Sequence, residues 1–339
     1  MERRHPLPFG AQLLGDGRAR FRLWAPSARS VALQLEGGGR HPMPVGPGGW
    51  CEVTAPARAG DLYRYLIDDA DLVPDPASRA QPYGVHGPSQ VVDPAAFAWG
   101  DAAWRGRRWE EAVLYELHVG TFSPTGDFEG VTQRLAHLAD LGVTALELMP
   151  VAASPGRRGW GYDGVHLFAP WATYGTPEAL KRLVEQAHLR GMMVILDVVY
   201  NHLGPEGNYL GRHAASFFDP ARPTPWGAGI DFHQGAVRDF FVHNALYWLH
   251  EYHLDGLRLD ATEWMPHDVL AELAGRARAS LAPGRHAHLI LEHVALRAEL
   301  LGERGFAAQW GDRVHHPLHS LVTGEGAGLL AKYADDPAT

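Results

Sequence analysis

From about residue 105 onward the sequence repeats one rhythm: a short apolar run, a loop, then a stretch with helical periodicity. The apolar runs lie near residues 113–119, 144–148, 192–199, 256–260 and 288–292, with a sixth at 307–310. Helical patterns fall between them, over Val131 to Leu141, Pro177 to Arg190, Ala236 to His250 and Val269 to Leu281. Strands that alternate with helices make βαβ units, and their parallel sheet is covered on both faces, so its strands are almost wholly apolar. Val194-Ile195-Leu196 is such a run. The pattern predicts an α/β fold, an incomplete (β/α)8 TIM barrel over residues 105–339. In such a barrel the active site is built where the strands end.

Residues 1–95 read differently. Arg20 to Trp24, Val31 to Leu35 and Leu62 to Ile67 alternate apolar and polar side chains with period two, and Gly and Pro turns separate them. They predict a small N-terminal β-sandwich. Pro74 to Pro94 carries five prolines and no helical period, and reads as a fixed connector. A length of 339 residues suits two such units.

The net charge of −9 and the lack of a basic patch exclude a nucleic-acid partner bound through phosphates. Cys51 is the single cysteine, so no disulfide framework or multi-cysteine metal site can form, and a passive thiol is expected. No apolar stretch reaches about 18 residues, which argues against a membrane partner, and the first residues lack a signal-peptide core. A cytoplasmic location is therefore expected. No Gly-rich phosphate loop is present, which leaves a phosphate-cofactor barrel without its motif.

Carboxylates at strand ends carry the chemical signal. Asp197 sits inside an apolar strand that runs into Asn201 and His202. A charge in that setting needs a partner, so a structural ion pair competes with a catalytic role, while His202 is expected on the rim, touching substrate. Arg258 and Asp260 are two residues apart on the next strand, so they share a face, and the guanidinium should keep the carboxyl ionised. An ionised carboxylate at a strand end suits a nucleophile; a buried salt bridge without chemistry is the alternative. Glu292 ends an apolar strand one βα unit later, where desolvation should keep it protonated, as a general acid requires. A retaining glycosidase needs this pair, its carboxyls about 5–5.5 Å apart. Tyr162, in Trp160-Gly161-Tyr162-Asp163-Gly164, is placed to meet a sugar ring; Trp160, Trp226, Trp248 and Trp264 are expected to pack in the core.

Asp197-Val198-Val199-Tyr200-Asn201-His202, Gly256-Leu257-Arg258-Leu259-Asp260-Ala261 and the strand-end Glu292 resemble, in order, three signature regions of the α-amylase superfamily, glycoside hydrolase family thirteen. The connector Pro74-Asp75-Pro76-Ala77-Ser78-Arg79, with Glu147-Leu148-Met149-Pro150-Val151 and Gly204-Pro205-Glu206-Gly207-Asn208-Tyr209-Leu210, is similar to the trehalose-releasing branch of that family. The resemblance implies a nucleophile in Asp260, a general acid/base in Glu292, substrate contacts from Tyr162, His202 and Arg258, and support from Asp197 and Asn201. It implies hydrolysis of the α-1,4 bond between a maltooligosaccharide and a terminal trehalose in maltooligosyltrehalose. No cofactor and no metal are expected, and the oligomeric state stays open.

The family's fourth region, an Asn/His-Asp pair bearing a third carboxylate, has no counterpart after Glu292; His315-His316 is not that pair. A six-strand barrel exposes two edges, so the expectation is a truncated chain whose catalysis is impaired. A 1,4-α-glucan branching enzyme and a non-catalytic glucan-binding fragment are the alternative readings.

Overall fold

The structure is a computed structural model that describes residue 5, residues 7–302 and residues 305–332. The final stretch 333–339, where the sequence reading placed the stop before a seventh strand, lies outside the described residues.

The N-terminal part is a two-sheet sandwich. One antiparallel sheet joins Gly10–Leu13, Arg18–Trp24 and Trp50–Pro56 in that order. The other joins Gly39–Met43, Val31–Leu35, Leu62–Ile67 and Asp71–Val73, with Ser89–Gln90 also pairing to Leu62–Ile67. Along Arg18–Trp24 the side chains alternate between core and surface, as the period-two pattern requires. Phe21, Leu33, Tyr63 and Tyr65 fill the space between the sheets, together with Cys51, whose thiol burial pushes up to about 11. Cys51 is therefore an inert packing group.

The proline-rich connector is held from inside. The Asp75 carboxyl accepts hydrogen bonds from the Tyr63 hydroxyl at 2.7 Å, the Tyr65 hydroxyl at 3.3 Å and the Ala77 amide at 2.8 Å. The His166 ring bridges the carbonyls of Asp75 and Val85, fastening the connector to the next part of the fold. An extended segment with few backbone partners of its own is fixed in this way by buried side chains.

Beyond it, six parallel strands follow one another in chain order: β1 Leu114–Leu117, β2 Ala145–Leu148, β3 Met193–Val198, β4 Gly256–Leu259, β5 His288–Glu292 and β6 Ala308–Trp310. The longer helices between and after them are α1 Phe128–Asp140, α2 Pro177–His188, α3 Gly235–Glu251, α4 His267–Ser280 and α5 Asp312–Thr323. Asp127 and Thr176 cap α1 and α2 by accepting from the Gly130 and Ala179 amides, and Pro177 occupies the first turn of α2, where its missing N–H costs nothing. α3 is apolar almost all round because it is covered on more than one side: Phe240 packs on Phe168 at 5.1 Å and on Phe9 of the N-terminal segment at 5.5 Å.

The sheet curls, so alternate side chains of neighbouring strands share one interior. Ala145, Met193, Ile195 and Ile290 form its apolar floor with Trp104, Trp109 and Trp310 against them. The opposite faces of the strands join the large core beneath the helices. Below the floor Asp255 is fully buried and satisfied by His188 at 2.8 Å, Arg285 at 2.6 Å, Trp104 Nε1 at 2.8 Å and the Val194 amide at 2.9 Å. His188 holds Asp101 with its other ring nitrogen at 2.8 Å, which ties the start of the barrel chain to its base. β1 and β6 are the sheet edges, and among the described residues no strand pairs with the outer side of either.

Candidate active site

Strand register places the polar residues. Asp197 on β3 stands opposite Arg258 on β4, and Arg258 opposite Ile290 on β5, so all three point into the curled sheet's interior. Glu292 follows two residues after Ile290 on the same side, as Asp260 follows Arg258. The consequence is one guanidinium ringed by carboxyls. Arg258 Nη1 donates to Asp197 Oδ1 and Oδ2 at 2.8 and 2.9 Å and to Asp260 Oδ1 at 2.8 Å, while Nη2 lies 3.0 Å from Glu292 Oε2.

A second layer fixes each acid. Tyr162 donates its hydroxyl to Asp197 Oδ2 at 2.8 Å. Asn201 Nδ2 donates to the Asp260 carbonyl at 2.7 Å and to Asp260 Oδ2 at 3.0 Å, and its own Oδ1 is taken by His202 Nδ1. Ala261 adopts a left-handed backbone, φ 42°, which a residue with a Cβ enters only under constraint. That turn aims the Ala261 amide at Glu292 Oε2, 2.9 Å away, and lets the Thr262 hydroxyl bond the Glu292 carbonyl. The strained residue thus sits between the two carboxylates and locks their relative position.

Electrostatics separate the acids. Burial raises the Glu292 pKa above the ordinary glutamate value, against the pull of Arg258 and the Ala261 amide, and a side-chain hydrogen bond with Asp260 raises it further. Burial likewise lifts Asp197 to about 7 despite Arg258. Arg258 loses stability as a cation through burial, but Asp197, Glu292 and Asp260 more than restore it and hold it charged. One cation faces more carboxyls than it can neutralise, so at least one of them keeps its proton near neutrality.

Every residue expected from the sequence reaches this cluster or its support, with one change of position. His202, expected on the rim, is only 2% exposed. Its ring bonds Asn201 on one side and the Tyr162 carbonyl at 3.0 Å on the other, and burial lowers its pKa. The aromatics are corrected more strongly. Trp248 is buried as expected, but Trp160, Trp226 and Trp264 are 73%, 47% and 41% exposed. Trp226 stacks over the His202 ring at 5.0 Å and meets Trp264 edge-on at 6.2 Å, so together they form an aromatic wall beside the cluster. They come from segments following β3 and β4, where solvent and not core lies ahead of the side chain.

One interior residue was passed over. Glu147 on β2 is 1% exposed and faces the same interior, across from Ile195. The signal that marked Asp197, a lone charge in an apolar strand, marks Glu147 equally. Glu292 also lines an open cavity of about 840 Å³ with Glu116, Gln309, Trp310 and Arg313.

Comparisons with known proteins agree with this construction. Residues 92–245 match the alpha amylase catalytic domain and residues 8–94 match carbohydrate-binding module 48, the isoamylase N-terminal domain. The malto-oligosyltrehalose trehalohydrolase of Deinococcus radiodurans is 43% identical over 97% of the chain and 54% of its own length. That of Saccharolobus solfataricus is 41% identical over 96% and 59%. A solved structure of a candidate alpha amylase from Salmonella typhimurium superposes with a TM-score of 0.92 at 43% identity, covering 98% of this chain and 58% of the other. The chain spans little more than half the length of the curated relatives it matches. In both of its parts the chain is thus similar to alpha-amylase-type proteins, with a segment like a CBM48 module ahead of a curled parallel sheet like that of the alpha amylase catalytic domain.

Proposed function

We propose that the catalytic unit, residues 105–339, behind a sandwich unit of residues 1–95, serves retaining hydrolysis of an α-1,4-glucan bond, with maltooligosyltrehalose as substrate and trehalose as product. The observation that carries this reading is the joint grip of Arg258 on Asp260 and Glu292. Asp260, held by Arg258 and Asn201, attacks the anomeric carbon to form a glycosyl-enzyme. Glu292, whose pKa burial raises, gives its proton to the departing glycosidic oxygen and then takes one from the water that releases the sugar. Tyr162 and Asp197 brace Arg258 from the far side, and His202 braces Asn201 and the Tyr162 backbone. Trp226 and Trp264 offer apolar faces to sugar rings. The trehalohydrolase names of the Deinococcus and Saccharolobus relatives support the trehalose-releasing branch over the branching one.

The purified chain is incubated with maltooligosyltrehalose and the products are resolved by chromatography. Free trehalose that disappears in Asp260→Asn supports the reading. Maltose alone, or new branch points on amylose, overturns the subtype; substrate binding without any product assigns the folded chain to glucan binding.

A further inference from the structure

Two buried polar atoms in the interior of the curled sheet have no hydrogen-bond partner among the described residues: Oε1 of Glu147 and Nε of Arg258. They are complementary. Of the three guanidinium nitrogens, Arg258 Nε is the one not directed at Asp197, Asp260 or Glu292, and Glu147 Oε1 is an acceptor. They are also near each other in register. Glu147 faces Ile195 across β2 and β3, while Arg258 faces Asp197, two residues further along β3 on the same side. Glu147 therefore lies one inward-facing layer below Asp197 and Arg258 in register, and the Arg258 charge acts on it.

We propose that Glu147 is a positioning residue for Arg258, accepting its Nε–H through one bridging solvent molecule and so fixing the plane of the guanidinium that grips Asp260 and Glu292. A buried donor and a buried acceptor each left alone would cost free energy comparable to a lost hydrogen bond, and pairing them removes both penalties. The plane matters because Nη1 and Nη2 serve different acids; a guanidinium free to rotate about its Cδ–Nε bond could not hold both at once.

The groups facing Glu147 explain why a carboxyl can do this without spoiling the cluster. Asp197 and Glu116 repel its charge, Arg258 attracts it, and the Trp310 side chain lies within hydrogen-bonding reach. Burial dominates and pushes Glu147 up to about 8, so near neutrality its carbonyl oxygen accepts while the group adds no further negative charge beneath three carboxyls. Glutamine has the same acceptor and the same neutrality; methionine has the length without the acceptor.

Glu147 thus serves the site of the proposed hydrolysis, but the measurement reads hydrogen exchange and not turnover, so either can fail without the other. The Nε–H resonance of Arg258, assigned by its loss in Arg258→Lys, is followed in 15N-labelled protein. In the wild type it should exchange at least about tenfold more slowly than that of Arg29, whose side chain is 87% exposed. Glu147→Gln should keep the protection within about twofold and Glu147→Met should lose about tenfold or more. Equal protection in Glu147→Met overturns the proposal. Should that variant not fold, a wild-type Nε–H exchanging as fast as that of Arg29 overturns it just as well.

Discussion

Asp260 and Glu292 are held by opposite ends of one guanidinium: Arg258 Nη1 lies 2.8 Å from Asp260 Oδ1 and Nη2 lies 3.0 Å from Glu292 Oε2. The two carboxyls belong to adjacent parallel strands, β4 running into Asp260 and β5 ending at Glu292, so their separation is set by strand spacing and by a single rigid fork.

That fork has no lysine substitute. Arg258→Lys replaces two directed donor nitrogens by one point charge, which can stay with Asp197 or reach Asp260 but cannot also hold Glu292. We expect turnover to fall by about 10² to 10³ while far-UV circular dichroism is unchanged. Activity within twofold of wild type would mean that the fork does not set the carboxyl positions.

Asp260→Asn separates stability from function. It removes one negative charge from a site with more carboxyls than cations, and the amide still fits between Asn201 and Arg258. Turnover should fall by on the order of 10³ or more, whereas the melting temperature should rise by about 1–3 °C. Calorimetry on both proteins checks the sign.

The pH dependence of stability follows from Asp197 and Glu147, whose folded pKa values are raised to about 7 and about 8. Between the unfolded value and the folded one, the native state binds a proton that the unfolded chain does not, so stability falls as pH rises through that window. Glu147→Gln should match the wild type near pH 4 and exceed it at pH 8 by about 2–4 kcal/mol. Urea unfolding at both pH values measures the difference.

At the base of the barrel the sign is reversed for the acids. Asp255 is held well below the ordinary carboxylate range: its burial alone would raise it, but the charges of His188 and Arg285 and their hydrogen bonds outweigh that. Its contribution is present above about pH 4 and is lost as acid protonates it. Asp255→Asn strands the buried Arg285 and His188 and should destabilise by about 3–5 kcal/mol at pH 7, read by urea unfolding.

The aromatic wall should act on binding. Trp226→Ala removes the ring stacked on His202 and facing Trp264, and we expect maltooligosaccharide affinity to weaken by about tenfold with kcat less affected. Titration of intrinsic fluorescence with maltotetraose checks it.

The parallel core was legible because buried strands such as Met193–Val198 must be apolar, and the carboxyls were legible because Asp197, Asp260 and Glu292 interrupt or end such runs. The helices fell within a few residues of their pattern: Pro177–His188 ends where His188 turns to the buried acids instead of continuing the helix. Gly10–Leu13 and Trp50–Pro56 were not legible as strands, since Gly, Pro and Cys weaken the alternation and cross-strand pairing supplies what propensity lacks. The exposure of Trp226 and Trp264 was hidden for another reason: a tryptophan in a loop carries no period that says which way it points. Glu147 was readable and was passed over beside more prominent acids.

The most direct test labels the nucleophile. The chain is treated with 5-fluoro-α-D-glucosyl fluoride, digested and mapped by mass spectrometry. The account predicts one fluoroglucosyl addition on the Asp260 side chain, absent in Asp260→Asn; an addition on Asp197, Glu292 or any other residue, or a folded chain that turns over substrate with Asp260 unlabelled and dispensable, would contradict it.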